Sequence, residues 1–256
     1  MQHTFTLAAW NFRLARRSLL ALWGIFAAQQ AAVILWRAAQ PGAAGLGLAS
    51  HYYATMQIFV YLGFYLLTAL AAGAATHNSR RARSGYTWAT LPGTPGQKLA
   101  AKAVTIAAAE LVFAAWQLVW YIVEFYPVTA LEGWHRRQMY GAVLPAANLY
   151  EQVVTNNLFA RLLPRRPAQI VILLGILALS AAMLAALDTV RGWRKLPVFA
   201  SGLFCAQACF YLVSIEQHPE WLLGESRYAF YITAAAVLAA LTVWWAVRSI
   251  RRGEAA

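Results

Sequence analysis

Six apolar runs, each near the length a helix needs to cross a bilayer, constrain this chain more than any other feature. Hydrocarbon offers no water to the backbone, so a spanning segment must satisfy its own hydrogen bonds, as a helix does. The expected fold is an all-α polytopic membrane protein, a single transmembrane domain over 1–256 with about six transmembrane helices. The runs lie at about 18–36, 52–75, 99–125, 168–190, 197–215 and 228–247. Charged residues make up 12% of the chain, against about 25% in an ordinary soluble domain. The connecting segments are too short for a separate soluble domain.

Between the runs the chain is polar or broken by Gly and Pro. Residues 1–17 place Phe5, Ala8, Phe12 and Ala15 at helical spacing, with Arg13, Arg16 and Arg17 following, which predicts an N-terminal interfacial helix. No small-residue cleavage site follows these arginines, so the first span is expected to stay in the protein. The longest non-spanning segment, 126–168, holds Pro127, Pro145, Pro164 and Pro167. It is expected to be extracytoplasmic, with a short amphipathic helix over 148–163. With both termini in the cytoplasm, two thirds of the Lys and Arg residues fall inside, and Glu132, Glu151, Glu216, Glu220 and Glu225 dilute the outer set. The positive-inside rule favours this arrangement.

The net charge of +12 does not indicate nucleic acid, because the basic residues sit at the ends of apolar runs. Cys205 and Cys209 share a helix face but have no nearby metal-ligating partners, so no metal site is expected. The histidines are scattered, and no catalytic spacing stands out. Gly93-Thr-Pro-Gly-Gln-Lys98 superficially resembles a phosphate loop. Gln97 separates the glycine from the lysine, and Leu99 stands where Ser or Thr belongs, so no ATPase activity is expected in this chain.

Polar residues inside apolar runs are costly and usually face protein or water. Gln57, Glu110 and Gln117 are candidates for a pathway or for locking helices together. Glu110, the deepest acid, either lines a cavity or pairs locally across a helix interface. Glu124 and Asp188 lie near run ends, where solvation is the expected state.

A polar island, 78–102, separates the second and third runs. Ser84 can cap a short helix over Tyr86–Leu91, and Pro92, Gly93 and Pro95 end it. Ser84-Gly-Tyr-Thr-Trp-Ala-Thr-Leu-Pro92 through Lys102 resembles the cytoplasmic loop of ABC-2 type exporter permeases. Gly85, Leu91, Pro92 and Lys102 stand at the matching positions. The similarity is nearest to bacterial permeases for peptide-antibiotic export or resistance. It implies that 79–91 is a coupling helix, with Ser79, Arg80, Arg81, Arg83, Ser84, Gly85, Tyr86, Thr87, Trp88, Leu91 and Pro92 facing an ATPase. It also implies an ABC ATPase dimer carrying ATP and Mg, a second permease subunit, identical or paralogous, and a peptide, antibiotic or other amphipathic cargo. The alternatives are the membrane substrate-binding subunit of a vitamin-type importer and a non-transporting membrane scaffold.

Overall fold

The computed structural model describes residues 2–40, 42, 46–74, 91–141, 148–156, 159, 167–190, 193, 195–201 and 225–251. Among them every regular element is helical and no strand occurs. Three helices among the described residues are long and apolar enough to cross a membrane, at His3–Ala38, Gln57–Ala74 and Pro95–Tyr140. The chain is in this sense an all-α membrane protein.

The first helix, α1 (Gln2–Ala38), runs without interruption through the expected junction at 17/18. Its first 22 residues after Met1 contain neither Pro nor Gly, and the stretch around the junction, Leu14–Leu22, is rich in strong helix formers. From Arg17 to Trp36 it rises about 28 Å, close to the roughly 30 Å hydrocarbon thickness.

The second apolar run does not form one helix from 52 to 75. A short helix, α2 (Leu48–Ala54), is followed by a break at Thr55 and Met56, and α3 begins afterwards (Gln57–Ala74). The break is local chemistry. Thr55 Oγ1 donates to the His51 carbonyl at 2.7 Å, and Met56 takes φ 52°, a left-handed backbone that stops a helix. Along α3, Phe59, Leu62, Leu66 and Leu70 form an exposed stripe, while Gln57, Tyr61, Thr68 and Ala72 are buried. An apolar stripe left outside suits lipid rather than water.

The third run extends beyond 99–125 at both ends, into α4 (Pro95–Tyr140). Its 46 residues correspond to about 69 Å, more than twice a hydrocarbon core. Its start is a capping box. Gln97 Oε1 accepts from Thr94 N at 2.9 Å, and Thr94 Oγ1 accepts from Gln97 N at 3.3 Å, with Pro95 in the first turn. The stretch that superficially resembles a phosphate loop is therefore a helix start. At the other end α4 passes straight through Pro127, so the first part of 126–168 is a continuation of this helix. The helix α5 (Leu149–Thr155) follows, and Asn148 caps it by accepting from Tyr150 N at 3.0 Å.

Two further helices, α6 (Pro167–Thr189) and α7 (Glu225–Arg251), pack against each other. A helical stretch at 195–201 opens the expected fifth run, whose remainder lies outside the described residues. So do Cys205, Cys209 and the side chain of Asp188.

The chain divides into two compact units. The first comprises Met1–Leu19, Thr68–Glu110 and Arg165–Ala256; the second comprises Leu20–Leu67 and Leu111–Pro164. In the first unit, Leu7 and Ala8 of α1 pack on Ala101 of α4, and Leu91 lies partly buried against them. Thr105 Oγ1 reaches the carbonyls of Ala8, at 3.2 Å, and Ala101, at 2.9 Å. The second unit is built on aromatic rings. Phe26 lies 5.0 Å from Phe64 and 5.2 Å from Phe113 by centroid, and Tyr61 stacks on Phe113 at 5.3 Å. Such pairs prefer these offset or edge-on arrangements and add to the area they bury.

Candidate functional site

Of the coupling residues expected from sequence, Ser79, Arg80, Arg81, Arg83, Ser84, Gly85, Tyr86, Thr87 and Trp88 lie outside the described residues. Leu91 and Pro92 are described, in a bend that leads into Thr94 and α4. Leu91 turns inward, onto the cluster of Leu7, Ala8 and Ala101. Gly93 makes the turn with φ 146°, a backbone that favours glycine, and its Cα sits where an added Cβ would be 3.5 Å from Leu7 Cδ1. This bend is therefore held against the first turns of α1 and α4, both in the first unit.

Of the polar residues expected to line a pathway or lock helices, Glu110 belongs to the first unit and Gln57 and Gln117 to the second. Glu110 is fully buried in the first unit and accepts from Ser180 Oγ of α6 at 3.4 Å, which makes it a link between α4 and α6. Gln57 is buried at the start of α3, and neither of its amide atoms has a hydrogen-bond partner among the described residues. Gln117 belongs to a buried polar cluster in the second unit.

That cluster is the densest polar chemistry among the described residues. Tyr52 of α2 sits at its centre. Its hydroxyl donates to Glu124 Oε2 at 2.7 Å and accepts from Gln117 Nε2 at 3.3 Å and from Gln30 Nε2. A phenol has one proton and two lone pairs, so Tyr52 is fully used. Gln30 Nε2 also donates to Glu124 Oε2 at 3.2 Å. Gln30, Gln117 and Glu124 are 0%, 0% and 2% exposed. The sequence expectation that Glu124 is solvated is thus corrected. The helix continues well past it, which places the acid mid-helix and facing protein rather than at a span end.

Immediately beside this cluster, α2 is tied down again. His51 Nε2 meets Glu132 Oε1 at 2.8 Å, and the same oxygen accepts from Gly47 N at 2.9 Å. Arg136 lies 3.7 Å from the other oxygen of Glu132. From α5, Gln152 Oε1 accepts from Ala49 N at 3.0 Å, and the Gln152 carbonyl accepts from Tyr121 OH at 2.9 Å. Two side chains thereby satisfy amides at the start of α2 that the helix itself leaves open.

Gln30, Tyr52, Tyr121, Glu124, His51 and Glu132 were not singled out as a site by sequence reasoning. One signal was available. Gln117, Tyr121 and Glu124 are spaced i, i+4, i+7, a polar stripe on an otherwise apolar helix.

Chemically, the cluster presents a carboxyl group and amide groups in a buried setting, with no nucleophile–base pair among the described residues. Among the described residues no group of three or more His, Cys, Asp or Glu side chains is placed to hold a metal. A scan against protein-family models and searches of curated proteins and of solved structures found no match to this chain.

Proposed function

We infer that this chain is the transmembrane permease subunit of an ATP-driven ABC exporter of the ABC-2 type, moving a peptide, antibiotic or other amphipathic compound. The observation that carries the reading is the Gly85…Leu91-Pro92…Lys102 pattern, set between two long apolar helices. In this reading the protein has six spans and both termini in the cytoplasm of a bacterium. It works with an ABC ATPase dimer that binds ATP and Mg, and with a second permease subunit.

The packing of Leu91 supports a route for the force. A push on 79–91 bears on Leu91, and Leu91 bears on Leu7, Ala8 and Ala101. The Thr105 hydroxyl ties the same turns of α1 and α4 together. Close-packed side chains transmit displacement because they compress little. The first turns of two long helices therefore move with the loop, while the capping box at Thr94 and Gln97 keeps the start of α4 from fraying.

Copurification tests the reading. The tagged chain, solubilised from native membranes, is expected to bring down an ABC ATPase, and Trp88→Asp is expected to weaken that association while the chain still inserts and folds. A wild-type chain that carries no ATPase overturns the proposal. An ATPase retained in full by Trp88→Asp removes the coupling role from 79–91.

A further inference from the structure

The helix α7 carries two contrasting faces. On one, Thr242, Ala246 and Ser249 are buried, and the helix packs on α6 within the first unit. Small residues are what close helix contacts in a membrane use. The other face is bulky and bare. Val237, Leu241 and Trp244, at i, i+4 and i+7, are each more than half exposed. Arg248 and Arg251, also exposed, continue the same stripe one and two turns further on. The stripe thus changes from aliphatic to aromatic to cationic toward the end of the helix. Arg248 Cζ lies 5.3 Å from the centroid of the Trp244 ring, so the ring holds this guanidinium over its face. Neither arginine forms an ion pair among the described residues.

We propose that this end of α7 binds an anionic phospholipid, its phosphate meeting Arg248 and Arg251 and an acyl chain lying along Trp244, Leu241 and Val237. The charges are complementary. Two guanidiniums without a carboxylate partner face one phosphate, whose oxygens suit their paired N–H groups. The size of the side chains favours lipid over a helix of a second copy, because this stripe is built of bulky residues while the buried face of α7 uses small ones. A tryptophan that fixes an arginine also suits the boundary between hydrocarbon and headgroups, since both side chains join an apolar body to a polar tip. The proposal rests on α7 crossing the membrane as the sixth span, and not on an ATPase. Copurification can fail while the lipid binds, and lipid binding can fail while an ATPase is retained.

The test uses the full chain purified in an uncharged detergent. Photoactivatable analogues of phosphatidylglycerol and phosphatidylcholine, with the reactive group at the same acyl position, are each titrated against it, and the labelled residues are mapped. Saturable labelling within 237–251 by the phosphatidylglycerol analogue is expected, displaced by unlabelled phosphatidylglycerol and not by phosphatidylcholine or inorganic phosphate. Arg248→Gln and Arg251→Gln are each expected to weaken it about fivefold, the factor for one basic side chain at an anionic surface. Trp244→Leu, which keeps the charge and an apolar side chain, is expected to weaken it too, and Trp244→Phe to retain most of it. Equal labelling by the two analogues on the wild-type chain, which needs no variant to fold, overturns the proposal and leaves an unselective hydrocarbon contact. Displacement by inorganic phosphate overturns it by making this an anion site without lipid. Efficient disulfide cross-linking between two copies of Leu241→Cys overturns it by placing a second copy on the face.

Discussion

Replacing Gly47 by Ala isolates the geometry that holds α2. Gly47 has φ 75°, where a side chain is strained. A Cβ at this position would lie 2.6 Å from Gln152 Oε1 and 2.8 Å from Gln152 Nε2. The far end of a glutamine can ordinarily swing away at little cost. Here it cannot without losing the bond from Ala49 N to Gln152 Oε1. The left-handed backbone costs about 1 kcal/mol and the lost bond about 1 more, with an amide left open at the helix start. The expected loss is roughly 2–3 kcal/mol, or about 5–10 °C of melting temperature for a chain of this size. Thermal unfolding of the purified protein in detergent measures it, and a double-mutant cycle with Gln152→Ala identifies the cause. If the clash matters, the double variant is more stable than the sum of the two single losses predicts. A Gly47→Ala protein within about 0.5 kcal/mol of wild type, or strict additivity in the cycle, would refute the reasoning.

Three other outcomes follow from the structure. Thr94→Ala removes half of the capping box and is expected to cost about 1 kcal/mol, with faster amide exchange confined to the first turn of α4, whereas Thr94→Ser is near neutral. Tyr52→Phe leaves two amide donors and a carboxylate without their shared partner and is expected to cost about 1–3 kcal/mol in chemical denaturation, more than Tyr53→Phe on the exposed face of the same helix. Leu91→Asp puts a charge into the Leu7–Ala8–Ala101 cluster and is expected to lower the yield of folded protein, while Leu91→Met is tolerated; equal yields for the two would contradict the inward packing.

Among the described residues helix existence was legible in the apolar runs, and helix ends were not. Nothing in Thr55-Met56-Gln57 announces a stop, since neither Gly nor Pro is present. The break comes from a threonine bonding back to a carbonyl and a methionine in a left-handed turn, which only the fold around them selects. Pro127 misleads in the opposite direction. It signals an end, yet α4 continues, because the cost of one missing amide is outweighed when both flanks are packed. That continuation is also why Glu124 is buried: a residue near the end of an apolar run becomes mid-helix once the helix exceeds the run. The stripe of Gln117, Tyr121 and Glu124 was readable at helical spacing. Its partners Gln30 and Tyr52 were not, since pairing across 94 and 72 residues leaves no local pattern.

Adjacent residues of α2 grip α4 on either side of its proline. Tyr52 holds Glu124, three residues before Pro127, and His51 holds Glu132, five residues after it. A proline inside a helix is where it bends most readily, because one rung of its hydrogen-bond ladder is missing. The short helix α2 therefore acts as a splint across that weak point. Any swing of the outer end of α4 about Pro127 must first pull one of these two neighbouring side chains off its acid.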